Sequence, residues 1–129
     1  MATDQQIEQE IQAKGLTAPR ITPDDIELVI VSEHYFTALE GVQGSNRVYE
    51  SSAINKLSIL TFCVLVLRNG FTVTGESACA SPENFDAEIG RKIARQNALN
   101  KVWQLEGYLL KERLYKPRFP NIDDQPVVA

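Results

Sequence analysis

The stretch LSILTFCVLVLRNGFTVTGESAC, residues 57–79, decides the fold. Apolar and β-branched residues fill it on both sides of Asn69-Gly70, and Asn-Gly between two such runs is a strong signal of a β-hairpin. A two-residue turn at Asn69-Gly70 would place Val66 opposite Val73. The sequence therefore predicts an antiparallel hairpin over about residues 57–79.

This hairpin carries apolar side chains on both faces. With the two-residue turn, Leu65 and Leu67 point to the opposite side from the predicted core face. That core face collects five apolar side chains: Phe62, Val64, Val66, Phe71 and Val73. A strand that is apolar on both sides needs cover on both sides, and a chain of 129 residues has few elements to supply it. We therefore expect a homo-oligomer.

Helices on either side of the hairpin complete an α+β fold. Thr3 and Thr22 are each placed to cap a helix, the second of which we expect to end near residues 32–34. Ser81-Pro82-Glu83 predicts the start of a long helix over about 82–106, which Gly107 would end. Residues 35–42 fit either a strand or an irregular turn. The prediction is a small antiparallel sheet packed against the long helix, with N-terminal helices.

The chain reads as a single domain, 1–129, with three less regular segments. Residues 1–18 form a predicted N-terminal helical arm, in which only Ile7 and Ile11 make an apolar stripe. Residues 43–56 form a predicted polar loop, and residues 115–129 a predicted irregular tail.

Composition limits the classes of function. The chain has 13 basic and 17 acidic residues, giving a net charge of −4 and a pI of about 5.0. Proteins that coat duplex nucleic acid are basic, so nucleic acid is a disfavoured partner. The longest apolar run, residues 57–67, is too short to span a bilayer, and residues 1–6 lack the features of a signal peptide. We expect no membrane association.

The sequence offers no set of residues for catalysis or for binding a metal. Cys63 and Cys79 fall out of register in the predicted hairpin, so no disulfide is expected. His34, the chain's single histidine, has no evident nucleophile partner and no zinc-like spacing to the cysteines. We therefore predict a protein that is not an enzyme and uses no cofactor and no metal.

Residues 81–97 combine the groups that an anionic nucleotide requires. Arginines hold phosphates, and an aromatic ring can stack on a base. The candidate ligand-binding residues here are Asn84, Phe85, Arg91 and Arg95. A second basic stretch contains Arg113 and Arg118. Spacing alone favours the structural alternative, in which Phe85 packs in the core, Arg91 pairs with Glu88 and the later basic residues are a solvated face.

Several motifs, in a fixed order, resemble the phage Gp49 family of small tailed-phage proteins. They are Leu60-Thr61-Phe62-Cys63-Val64-Leu65, the run from Asn69 to Cys79, Asn84-Phe85-Asp86 and Trp103-x-Leu105-Glu106-Gly107-Tyr108. The resemblance covers about residues 19–114. It implies a phage or prophage origin, and so the cytoplasm of the infected bacterial host. The family name itself implies no activity.

Some proteins that look similar are anti-defence "sponges" against the Thoeris system. They sequester glyco-cyclic ADP-ribose without degrading it, some also take up cyclic oligonucleotides of the cGAS-like (CBASS) system, and they assemble as dimers or hexamers. The resemblance implies the same for this chain. By residue type and position, we expect Phe85 to stack on adenine, Asn84, Arg91 and Arg95 to complete that site, and Arg113 with Arg118 to serve a second nucleotide.

Two other functions fit parts of the sequence. The Leu65/Leu67 face and the polar loop would suit a phage accessory protein that binds and inhibits a host protein. The basic and aromatic stretch 108–118 would suit a single-strand nucleic-acid binder, which the overall negative charge disfavours.

Overall fold

A three-stranded antiparallel sheet, in the order β1-β2-β3, lies against one long helix in a computed structural model that describes residues 2–45 and 50–115. The strands are β1 (Ile30–Thr37), β2 (Leu60–Leu67) and β3 (Thr72–Ala78). The helices are α1 (Asp4–Ala13), α2 (Pro23–Val29), α3 (Ala38–Gly44), α4 (Ile54–Leu57) and α5 (Ala87–Tyr115), with 3₁₀ turns at Ser51–Ala53 and Pro82–Asn84. The predicted α+β class, with a sheet on a long helix and helices before it, is confirmed.

Threonine caps begin the first three helices. Thr3 caps α1 and Thr22 caps α2, each in a reciprocal capping box, as their position in the sequence predicts. α2 ends at Val29, earlier than predicted, because the chain continues directly into β1. The open choice for residues 35–42 is also resolved: the strand runs to Thr37, which then caps α3.

The turn between β2 and β3 has three residues, and not the predicted two. The Leu67 N–H donates to the Phe71 carbonyl at 2.8 Å, and the Gly70 N–H donates to the Leu67 carbonyl at 2.8 Å. Gly70 has φ +88°, the left-handed conformation of a glycine bulge that follows a tight turn. The extra residue pairs Leu65 with Val73, so the predicted pairing of Val66 with Val73 is wrong by one position.

A shift of one residue exchanges the two faces of a strand. Cys63, Leu65 and Leu67 are buried beneath α5 together with Val73. Phe62, Val64 and Val66, which were predicted as core, lie on the other side of the sheet and are half-buried. Phe71 lies on the same side of the sheet as Val73, but it is 55% exposed. Of the predicted core face, only Val73 is in the core. In the observed register Cys63 lies opposite Gly75, and Cys63 and Cys79 are free thiols.

Helix α5 is longer than predicted at its C-terminal end. Its predicted start at residue 82 is wrong, because Ser81 makes no capping hydrogen bond and Pro82–Asn84 form a 3₁₀ turn. The helix begins at Ala87, where Asp86 Oδ1 accepts the Ile89 N–H at 3.0 Å. It also runs through Gly107, which was predicted to end it. A glycine inside a helix costs only about 1 kcal/mol, and the leucines and long charged residues around it are good helix formers.

Small residues let α5 lie close to the sheet. The buried helix face includes Ala94, Ala98 and Val102, and Gly75 of β3 faces the first two. On the other side of the sheet, the Phe36 ring stacks on Phe62 with centroids 5.4 Å apart, and α3 packs there. The core therefore lies between the sheet and α5, and the second sheet face has only partial cover.

The predicted polar loop, 43–56, contains the end of α3, the Ser51–Ala53 turn and most of α4, and its residues 46–49 lie outside the described residues. The predicted tail overlaps the structure only at Tyr115, the last residue of α5.

Candidate ligand-binding site

Asn84 and Phe85 line a cavity of about 230 Å³ beside the first turns of α5. Phe85 is half-buried, and its ring lies over Gly90, where an added Cβ would be 3.7 Å from the ring. The remaining lining comes from the end of β3, Asp86 and the helix: Ser77, Ala78, Cys79, Asp86, Ile89, Gly90 and Ile93. The aromatic ring and the exposed Asn84 therefore line the same pocket.

Thr61 supplies a polar atom next to this pocket. Its Oγ1 is buried and has no hydrogen-bond partner among the described residues. A Cβ on Gly90 would approach that oxygen to 3.0 Å, so the hydroxyl lies directly beneath the helix. Sequence reasoning missed Thr61, because a threonine in a β-strand is ordinary.

The two predicted arginines lie on another side of α5. Ile89 and Ile93 line the Phe85 pocket, whereas Arg91 and Arg95 follow each of them by two positions. Two residues turn a helix by about 200°, so the arginines point away from the pocket. One chain therefore brings Asn84 and Phe85 together and separates them from both arginines.

Arg95 is the centre of an ion-pair network. Its Nη2 donates to both carboxylate oxygens of Glu27 on α2, at 3.0 and 2.8 Å, and its Nε donates to Glu33 on β1 at 2.8 Å. The Tyr35 hydroxyl donates to the same Glu33 carboxylate at 2.7 Å. The guanidinium thus ties α5 to α2 and to the edge strand.

The network also shifts the pKa of its members. The hydrogen bond from Arg95 lowers the pKa of Glu33, and the hydrogen bond to Glu33 raises the pKa of Arg95. Burial, and then the bond to Glu33, raises the pKa of the Tyr35 hydroxyl. Two carboxylates already balance the Arg95 charge, so a phosphate could bind there only by displacing one of them.

We expect Arg95→Gln to destabilise the fold by about 1 kcal/mol, a small value because Glu27 and Glu33 are 52% and 34% exposed. The folded pKa of Glu33 is lowered, so its stabilisation is complete above about pH 4.5 and is lost as pH falls through the folded pKa. The difference in the free energy of unfolding between wild type and variant should therefore become smaller below pH 4.5. Urea denaturation at several pH values measures this difference. Lys92→Gln, which removes only an exposed pair with Glu88, should change little; an equal loss in both variants would contradict the role of the network.

Arg91 is exposed and forms no ion pair or hydrogen bond with any residue in the described part of the chain. The structural alternative paired it with Glu88, but the Glu88 carboxylate instead contacts Lys92 at 3.4 Å. Arg91 is therefore available to an external anion, whereas Arg95 is not.

Arg113 lies in a separate cavity of about 280 Å³ between α2, the hairpin turn and α5. Two other arginines line the same cavity, Arg20 and Arg68, together with the carboxylates of Asp25 and Glu106. Arg68 is brought there by the backbone, because its N–H donates to the Val29 carbonyl at 2.9 Å. Arg118, the other residue predicted for this second site, lies outside the described residues.

Comparison with known proteins identifies the chain's relatives. Residues 21–114 match the phage protein (N4 Gp49/phage Sf6 gene 66) family. The chain belongs to this family. The match covers the sheet and nearly all of α5, and so includes the Phe85 pocket and both helix arginines. The search of the curated proteins and that of the solved structures each found no match to this family member.

Across residues 2–45 and 50–115, no three histidine, cysteine or acidic side chains cluster as a metal site would require. In the same residues, no helix combines the length and the apolar character needed to cross a membrane.

Proposed function

We propose that this phage protein binds and sequesters a cyclic nucleotide immune signal, of the cyclic ADP-ribose type, without cleaving it. The observation that carries the proposal is the Asn84–Phe85 pocket at the start of α5, the helix that also presents Arg91, which has no ion pair or hydrogen bond among the described residues. An aromatic ring, an amide and a free guanidinium are the groups that recognise a purine and its phosphates. A phage gains from such binding because a captured signal no longer reaches its receptor.

The binding site would be completed by a second copy of the chain. A cavity of about 230 Å³ is smaller than the roughly 300–1,000 Å³ typical of ligand sites, and Asp86 brings a negative charge to its rim. Among the residues that the structure describes, no arginine or lysine lines it. Arg91 of a second copy, placed over the pocket, would supply the missing cation. Ile89 and Ile93, 55% and 47% exposed beside the pocket, offer the apolar contact for that copy.

The second candidate function is binding to a host protein. The Leu65/Leu67 face that was predicted to bind such a partner is not available, because both leucines are buried beneath α5. The half-buried face of Phe62, Val64 and Val66 replaces it as the apolar surface that such a partner would cover. Capture of one host protein from lysate, abolished by Val64→Asp, together with no nucleotide binding, would favour this function.

Calorimetry with glyco-cyclic ADP-ribose isomers and cyclic dinucleotides tests the leading proposal. We expect saturable binding of at least one of them. Phe85→Ala should weaken that binding roughly ten- to a hundredfold, the usual worth of an aromatic ring stacked on a base. Phe71→Ala is the matched control, because Phe71 is an exposed ring at the other end of the sheet. A folded protein that binds none of these ligands, or equal losses in the two variants, would refute the proposal.

The fate of the ligand separates a sponge from a hydrolase. After binding, heat denaturation should release the nucleotide with its original mass and its original biological activity. Release of a cleaved product would show that the protein is an enzyme.

A further inference from the structure

Helix α1 is fastened to the rest of the chain more by polar contacts than by apolar packing. Its two isoleucines pack poorly against the core, because Ile7 is 46% exposed and Ile11 is only half-buried. Glu8, in contrast, is buried. A surface helix normally buries its apolar stripe and exposes its acids, and α1 reverses this for Glu8.

Two clefts lie between α1 and the rest of the chain. A cavity of about 350 Å³ lies between Ile7 and Ile11 on one side and Ile21 and Trp103 on the other. A second groove, of about 580 Å³, runs from the first residues of α1 to Arg95. Both are open clefts at the surface, so part of the inner face of α1 lacks contacting atoms and gains less dispersion energy than a closely packed helix would.

Two polar contacts hold α1 against the rest of the chain. The Glu8 carboxylate receives hydrogen bonds from Arg20 Nη2, at 2.7 Å, and from Gln12, also at 2.7 Å. The hydrogen bond from Arg20 is the main reason that the pKa of Glu8 falls to about 2. At the other end of the helix, Trp103 Nε1–H donates to the Asp4 carboxylate at 3.3 Å.

The connector between α1 and α2 is exposed at residues 14–19. Gly15, directly after the helix, has φ +67°, and Leu16 beside it is 56% exposed. The next fixed point is Thr22, which caps α2. Between them, Arg20 is the residue that reaches back to α1.

We propose that α1 is a latch that opens as one unit about Gly15, with the Glu8–Arg20 pair as its fastening. Opening uncovers Trp103 and Ile26, and it removes the α1 wall of the groove that leads to Arg95. The device regulates access to this apolar surface, and it stands whether or not the protein binds a nucleotide.

Hydrogen exchange and tryptophan fluorescence of the full chain test the latch. Arg20→Glu breaks the fastening, so the amides of α1 should lose roughly tenfold in protection while those of α5 and the sheet keep theirs. Trp103 is the chain's single tryptophan, and its emission should shift to the red as it becomes hydrated. The reversed pair, Glu8→Arg with Arg20→Glu, should restore most of the α1 protection.

Lys14→Gln is the matched control, because it removes an exposed pair with Glu10 on the same helix and should leave α1 protection unchanged. The proposal is overturned if Arg20→Glu leaves α1 protection and Trp103 emission unchanged. It is equally overturned if α5 loses as much protection as α1, which would mean global unfolding, or if the reversed pair restores nothing.

Discussion

Gly75→Ala is expected to destabilise the protein by about 4 kcal/mol or more, the range reserved for substitutions that break a core. A Cβ at this position would lie 2.1 Å from the Ala94 carbonyl oxygen and 2.4 Å from the Ala98 nitrogen. Both are backbone atoms of α5, so no side-chain rotation relieves the clash. The helix would have to move off the sheet and give up its contacts with Leu65 and Val73. Many domains have a total stability of only about 5–15 kcal/mol, so a large unfolded fraction should appear.

Gly107→Ala is the matched control for this substitution. Gly107 lies inside the same helix that Gly75 touches, and an added Cβ there meets nothing within 4 Å. Alanine should therefore stabilise the helix by about 0.5–1 kcal/mol. Urea denaturation of both variants should give changes in the free energy of unfolding that have opposite signs. A loss below about 1 kcal/mol for Gly75→Ala would mean that α5 does not approach the sheet as closely as described.

The hairpin shows how far local sequence carries a fold prediction. Asn69-Gly70 correctly places the turn, and the apolar runs on each side correctly place β2 and β3. The same dipeptide can serve a two-residue or a three-residue turn, and Gly70 takes a positive φ here. Because β2 is apolar on both faces, its sequence holds no signal that would choose between the two registers. Packing against α5 makes the choice, through the close approach at Gly75.

β1 and the end of α5 show the limits of local signals. β1 has the polar centre Ser32-Glu33-His34, which breaks the alternation expected of a strand, and pairing with β2 forms it nevertheless. Gly107 has the sequence context of a helix end, yet α5 continues past it to Tyr115. In both places the surrounding structure outweighs a single-residue preference.

Some groupings of the candidate site residues could be predicted from the sequence, and others could not. Asn84 and Phe85 are neighbours in sequence and share a pocket, so their grouping could be predicted. Helical periodicity alone also places Arg91 away from that pocket, so this separation could be predicted from the spacing of the residues. The pairing of Arg95 with Glu27 and Glu33 was not, because these residues are 68 and 62 positions away along the chain.

Leu65→Ala is expected to cost about 3–5 kcal/mol, because Leu65 is fully buried between the sheet and α5 and its removal leaves a cavity. The same substitution at Leu60 is the matched control. Leu60 is also on β2, but its side chain lies on the opposite face and is half-buried. We expect Leu60→Ala to cost about 1 kcal/mol, the value for partial burial of a similar side chain.

The order of these two losses decides which face of β2 is the core. In the register predicted from the two-residue turn, Leu60 shares the core face with Phe62 and Val64, so Leu60→Ala would be the costlier change. Denaturation should also be measured at two protein concentrations. If the second sheet face joins copies of the chain, the loss at Leu60 will depend on concentration, because association stabilises only the folded state. The loss at Leu65 comes from within one chain, so it should remain nearly the same at both.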